Sequence, residues 1–100
     1  RVKIATDDGS LGHRGLVTAL LGGLTFDVVF ACGPLPMLRA VSALAKERGV
    51  PCQLSMEERM ACGIGACLGC AVKLRGPGGE PYYGHVCSDG PVFDSSVLFL

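Results

Sequence analysis

The stretch "FDVVFACGPLPMLRAVSALAKERGVPCQLS", Phe26 to Ser55, decides the fold. It opens with a nearly continuous apolar run, Phe26 to Cys32, rich in β-branched and aromatic residues, which suits a strand buried on both faces of a parallel sheet. The run stops at Gly33-Pro34-Leu35-Pro36. Beyond it Met37, Leu38, Val41, Leu44 and Ala45 fall at helical spacing, with Pro36 near the first turn and Gly49 past the end. Val50 to Ser55 is extended again. Strand, helix and strand joined by short connections predict a βαβ unit with a right-handed crossover. Upstream, Arg1 to Thr6 has the length and composition of a short strand. It enters the polar turn Asp7-Asp8-Gly9-Ser10, and Gly15 to Leu21 reads as a short helix.

Downstream of Ser55 the composition changes. "MACGIGACLGC", Met60 to Cys70, holds three cysteines and three glycines in eleven residues. A disulfide framework would need an oxidising compartment, and it usually substitutes for a missing core, whereas residues 16 to 56 are rich enough in Val, Leu, Phe and Ala to form one. Metal ligation is the alternative. Cys62, Cys67, Cys70 and Cys87 read C-x4-C-x2-C, then sixteen residues and a fourth cysteine. Structural zinc sites generally take their ligands as two separated pairs, while a three-plus-one grouping is the plant-type [2Fe–2S] pattern. The glycines fit the second reading: Gly63, Gly65 and Gly69 can turn sharply at positive φ, and their N–H groups can point at sulfur. "AVKLR", the turn "GPGGEP" and "YYGHVC" then read as a hairpin returning Cys87 to the other three. The last segment, Ser88 to Leu100, has turn signals but no assignable period.

Composition excludes several classes. In 100 residues, 49% are apolar and 18% charged, the formal net charge is zero, and the basic residues are scattered. That fits a packed globular chain with neither a nucleic-acid footprint nor a membrane-binding face. No apolar run has membrane-spanning or secretory length, and Arg1 is not a start methionine. The expectation is a cytoplasmic chain that is a piece of a longer one.

"TDDGS.G..G.VT" at Thr6 to Thr18, "ACGPLPML" at Ala31 to Leu38 and "E..MACGIGACLGC" at Glu57 to Cys70 together resemble the electron-transfer subunit of type B, NAD-dependent dihydroorotate dehydrogenase, in its C-terminal part. That family belongs to the ferredoxin-reductase group, with an FAD barrel, an NAD-binding α/β domain and a C-terminal [2Fe–2S] domain. The resemblance implies an α/β fold: part of a nucleotide-binding parallel sheet with its βαβ unit, followed by a small β-rich [2Fe–2S] module. Residues 1–55 would be the C-terminal half of the NAD domain and 56–100 the cluster domain. It also implies electron relay through a cluster held by Cys62, Cys67, Cys70 and Cys87, between FMN in a separate catalytic subunit and FAD and NAD. The assembly would be a heterotetramer serving pyrimidine biosynthesis. The FAD site and the pyrophosphate-cradling turn are not in these residues, so the chain is expected to bind no flavin. Cys32, Gly33 and Pro34 are matched by resemblance to a turn near the nicotinamide, beside their plain reading as a strand-to-helix corner. Asp7 and Asp8 would repel a ribose 2′-phosphate and favour NAD over NADP, or they simply form an Asx-type turn.

Other residues have quieter expectations. Cys52 reads as an inert buried thiol, while His85 and Arg59 read as solvated. Tyr82 and Tyr83 read as hairpin cover or subunit surface. Ile64, Ala66 and Leu68 read as docking contacts beside the cluster or, alternatively, as the small core of that module. Two other functions share features of the layout. One is the small subunit of an NADH-dependent ferredoxin:NADP oxidoreductase or sulfide dehydrogenase, whose members tend to depart from Cys at the position of Cys62. The other is a zinc-binding interaction module.

Overall fold

The computed structural model describes residues 2–100. At the N-terminal end β1 (Ala5–Thr6) and β2 (His13–Arg14) form a parallel pair of two residues each, stitched by His13 N–H to the Ile4 carbonyl at 2.8 Å and Gly15 N–H to that of Thr6 at 2.9 Å. The strand expected over Arg1 to Thr6 is thus cut to its last two residues, with Arg1 outside the described residues. The chain doubles back at Gly12, whose φ of 70° and close approach to the Ile4 carbonyl oxygen leave no room for a Cβ. The helix expected near Gly15 to Leu21 is a five-residue 3₁₀ turn, Val17–Leu21. With Gly22 and Gly23 behind it and no side-chain cap, it is too short to propagate an α-helix.

The βαβ unit is present. β3 (Val29–Cys32) and β4 (Cys52–Ser55) pair in parallel, Val29 opposite Cys52 through Cys32 opposite Ser55, and α1 (Leu35–Arg48) joins them. Pro34 precedes the helix and its carbonyl accepts the Leu38 N–H at 3.1 Å. Gly49 ends it at φ 68°, where its N–H bonds Lys46 and the Val50 N–H bonds Ala45, a glycine stop. Leu38, Val41 and Ala45 are its buried stripe. Arg48 fastens its end, donating to the Leu24 and Gly22 carbonyls at 2.8 and 3.2 Å while its guanidinium lies over Phe26.

Two expectations for this region are corrected. β3 starts at Val29 rather than Phe26 and is not buried on both faces: Val29 and Ala31 are half-buried, whereas Phe30 is 69% exposed and Cys32 is also exposed. It forms one edge of a three-stranded sheet, with β4 in the centre and Val92–Asp94 on the far side, and its alternation is that of a strand covered on one side. Nor is that sheet wholly parallel. The antiparallel partner comes from the segment that had no readable period.

Downstream, β5 (Ala71–Arg75) and β6 (Pro81–His85) form the expected antiparallel hairpin, Ala71 opposite His85, closed by Gly76 N–H to the Glu80 carbonyl at 2.7 Å. α2 (Val86–Asp89) is a single turn that follows without a break. β7 (Val92–Asp94) then crosses back to β4, with Leu54 opposite Phe93, and a 3₁₀ turn (Ser95–Val97) leads Leu98 to a bridge with Leu74. One core results: Leu38, Val41, Ala45, Cys52, Leu54, Met56, Cys70, Val72, Leu74, Val86, Phe93 and Leu98 pack together, drawing on α1, the three-stranded sheet, the β5–β6 hairpin and the returning tail. A side chain buried as fully as Leu54 or Leu38 contributes about 1.5–3 kcal/mol. Among the described residues no helix is long and apolar enough to cross a membrane.

Candidate metal centre

β4 ends at Ser55, and residues 56 to 70 run as an irregular loop before β5 begins at Ala71. Nearly every residue of this loop is solvent-accessible; Met56 and Cys70, at its two ends, are buried. Backbone amides organise the rest. The N–H groups of Ile64, Ala66 and Cys67 all donate to Cys62 Sγ, at 3.4, 3.3 and 3.5 Å, and the Gly69 N–H donates to Cys67 Sγ at 3.5 Å. Aiming three amides at one sulfur requires tight reversals, supplied by Gly63 at φ 71°, Gly65 at φ 81° and Leu68 at φ 63°. Leu68 is the one non-glycine at positive φ among the described residues, a conformation that crowds a Cβ by about 1–2 kcal/mol.

Cys87 lies on α2, two residues past the end of the hairpin strand that was expected to carry it. Its N–H donates to Cys70 Sγ at 3.4 Å, and the Val86 N–H donates to the Cys70 carbonyl at 3.1 Å. All six cysteines are free thiols. The four candidate ligands associate as two neighbouring pairs, Cys62 with Cys67 and Cys70 with Cys87. Among the described residues no three His, Cys, Asp or Glu side chains close on a single ion. Electrostatics divides the pairs. The Cys67, Ile64 and Ala66 N–H groups hold the Cys62 thiol down to about 6. Cys87 is pushed up, first by its hydrogen bond with the Cys70 thiol and then by burial, against the pull of the Gly65 N–H. Thiolates are what iron or zinc bind, and amide donors are what a negatively charged thiolate-ligated centre needs around its sulfurs.

The nucleotide candidates lie on different elements. Asp8 Oδ1 accepts the Ser10 N–H at 2.9 Å and Thr6 Oγ1 donates to the Leu11 carbonyl at 2.9 Å, so Asp8 is a turn-former, its carboxyl lowered by that Ser10 bond. Asp7 is exposed beside it. This turn belongs to the β1–β2 pair, while Cys32, Gly33 and Pro34 form the corner between β3, of the three-stranded sheet, and α1. Cys32 Sγ there contacts Glu57 Oε1 at 3.6 Å. An apolar cavity of about 430 Å³ lies alongside, lined in part by Phe30, Cys32, Met37 and Val41. Sequence reading missed Glu57 in this role, since no local pattern links it to a cysteine on another strand.

His85 is a second correction. It was expected in solvent, but its side chain is only 21% exposed and its Nε2 is buried without a hydrogen-bond partner among the described residues. Cys52 is buried as expected, and burial pushes its thiol up. Arg59 is exposed, as are Tyr82 and Tyr83. Ile64 and Leu68 face outward, at 77% and 64% exposure, so they are not the core of the loop.

Comparison with known proteins agrees with this geometry. Residues 57–98 match the family described as the iron-sulfur cluster binding domain of dihydroorotate dehydrogenase B. Over 98% of its length the chain is 50% identical to the dihydroorotate dehydrogenase B (NAD(+)), electron transfer subunit, of Caldanaerobacter subterraneus subsp. tengcongensis, of which it covers 40%. Over 97% it is 52% identical to the subunit of the same name from Geobacillus thermodenitrificans, of which it covers 37%. The chain thus spans about two fifths of the length of these curated relatives. A solved NADH-dependent reduced ferredoxin-NADP oxidoreductase, studied for flavin-based electron bifurcation, superposes on 97% of the chain at TM-score 0.75 and 32% identity, over 34% of its own length. Residues 57–98 are thus similar to the iron–sulfur cluster binding domain of dihydroorotate dehydrogenase B, within a chain that is similar over nearly all of its length to part of the electron transfer subunit.

Proposed function

We propose that this chain is the cluster-bearing part of a dihydroorotate dehydrogenase electron-transfer subunit, relaying single electrons between FMN in a catalytic partner subunit and FAD and NAD held by the rest of its own protein. The observation that carries the reading is the arrangement of Cys62, Cys67, Cys70 and Cys87 as two adjacent thiol pairs among converging N–H groups. A zinc ion would gather four ligands around one point, whereas a binuclear cluster takes two on each iron. The pairing supports [2Fe–2S]. Such a cluster, when bound, supplies one-electron transfer between flavins, which exchange one or two electrons.

The chain's own residues have distinct parts in this. The four cysteines hold the group, and the Ile64, Ala66 and Cys67 amides offset the charge on Cys62 Sγ. Ile64, Ala66 and Leu68 present an apolar surface beside it, suited to docking the catalytic subunit in a cytoplasmic heterotetramer. Residues 1–55 would be half of an NAD-binding domain, with Cys32, Gly33 and Pro34 facing the nicotinamide and Glu57 holding the Cys32 thiol. Residues 56–100 would be the cluster domain. Asp7, at the exposed turn, would disfavour a 2′-phosphate, and Asp8 would shape that turn. Iron and acid-labile sulfide analysis of anaerobically prepared protein tests the reading, with about two of each expected per chain; equimolar zinc without sulfide overturns it.

The similarity to the ferredoxin-NADP oxidoreductase supports a second reading, in which the same relay serves ferredoxin and NADPH. Steady-state assays of the full-length protein separate the two. Dihydroorotate-dependent NAD reduction favours the first, and ferredoxin-dependent NADP reduction the second.

A further inference from the structure

His85 closes β6, opposite Ala71, and so stands next to Cys70 and two residues before Cys87. Its backbone N–H donates to Asp89 Oδ2 at 2.7 Å, which fixes the start of α2 against the strand. The ring packs under the cysteine loop: a Cβ on Gly65 would stand 3.6 Å from His85 Nδ1 and 2.9 Å from Ser88 Oγ. Gly65 therefore serves two purposes, the positive-φ reversal and clearance for the imidazole. Asp89 Oδ2 lies 3.8 Å from Nδ1, beyond hydrogen-bond reach, so it does not tie the ring proton to that nitrogen. Nε2 is left buried with no hydrogen-bond partner among the described residues. A buried ring N–H without an acceptor carries its full desolvation penalty, so an acceptor outside the described residues is indicated. Cys70 and Cys87 flank His85 along the hairpin and α2, so the group that these cysteines would hold in the proposed function would bring sulfur acceptors to this end of β6.

We propose that His85 donates a hydrogen bond from Nε2–H to a sulfur of the iron–sulfur cluster and thereby raises its reduction potential. The inference rests on the cluster reading above. Donors to cluster sulfur favour the reduced, more negative state, so removing one moves the potential down. The test is a spectroscopically monitored redox titration of the full-length protein. His85→Phe keeps the bulk of the ring without its N–H and is expected to retain the visible spectrum while its midpoint shifts to more negative values. His85→Gln, which regains a donor, is expected to shift back toward wild type. An unchanged midpoint in the Phe variant overturns the proposal. If that variant takes up no cluster, the wild-type environment decides: in a His13→Asn background with ¹⁵N-labelled histidine, a ¹⁵N coupling to the reduced cluster supports the hydrogen bond and its absence overturns it. A wild-type protein without a cluster spectrum overturns the functional reading itself, and the proposal with it.

Discussion

Between Val29 and Ser55 the chain is held by side chains: Leu38, Val41 and Ala45 of the helix close over Cys52 and Leu54 of the strand, all of them buried. Between Met60 and Cys70 only Cys70 is buried, and the shape is held by N–H groups aimed at sulfur and by residues at positive φ. The first region derives its stability from removing apolar surface from water and needs no ligand. The second has little burial of its own, so metal binding, as proposed, would contribute folding free energy there. The two meet at Cys70, which is both a candidate ligand and a member of the core.

The largest expected effects test that division. Cys67→Ser or Cys70→Ser should abolish or nearly abolish the visible absorption of the cluster, because an alkoxide is a poor substitute for a thiolate on iron. Cys52→Ser should keep it while lowering stability by about 1–3 kcal/mol, the cost of a buried hydroxyl. Intact spectra in both ligand variants would break the comparison at its centre. Next, Leu54→Ala should cost about 2–5 kcal/mol in denaturant unfolding, from lost burial and the cavity left behind, with no change in cluster absorption per folded chain.

Smaller changes sharpen the contrast. Leu68→Gly relieves a crowded left-handed residue and should cost nothing in stability, or gain about 1 kcal/mol, where glycine in a strand or helix would be unfavourable. Ile64→Asp, at an exposed site, should alter stability by less than about 0.5 kcal/mol and leave the spectrum intact. It should also weaken association with the catalytic subunit, as read by gel filtration of the complex and by the rate of dihydroorotate-dependent NAD reduction. Retention of partner and rate together would remove the docking surface.

The smallest effect concerns Asp94, at the end of β7. The Ser96 N–H and hydroxyl, at 2.9 and 2.7 Å, hold its carboxyl below the usual value of 3.8. A lowered folded-state value means the ionised form is the favoured one. Its contribution is therefore complete above the ordinary carboxylate range and disappears as pH falls through the lowered value. Asp94→Asn should make acid unfolding slightly less steep there, measured as unfolding midpoints between neutral and acidic pH.

What the sequence determined by itself was local. The spacing of Met37, Leu38, Val41 and Ala45, the prolines before them and Gly49 after them specify a helix from its own residues, and the flanking apolar runs make the βαβ unit legible. The cysteine spacing and glycines likewise announce a metal loop, because its reversals are made by neighbours in the chain. What tertiary structure decided was long-range. β7 is three residues long and carries no period, yet it forms the edge beyond β4 because Phe93 finds Leu54 from the far end of the chain. β3 was over-read as doubly buried because an apolar run does not say which strands will cover it. The contact of Glu57 with Cys32, the burial of His85 under Gly65 and the division of four thiols into two pairs each join residues from different elements. No window of sequence contains both partners, so only the packed chain brings them together.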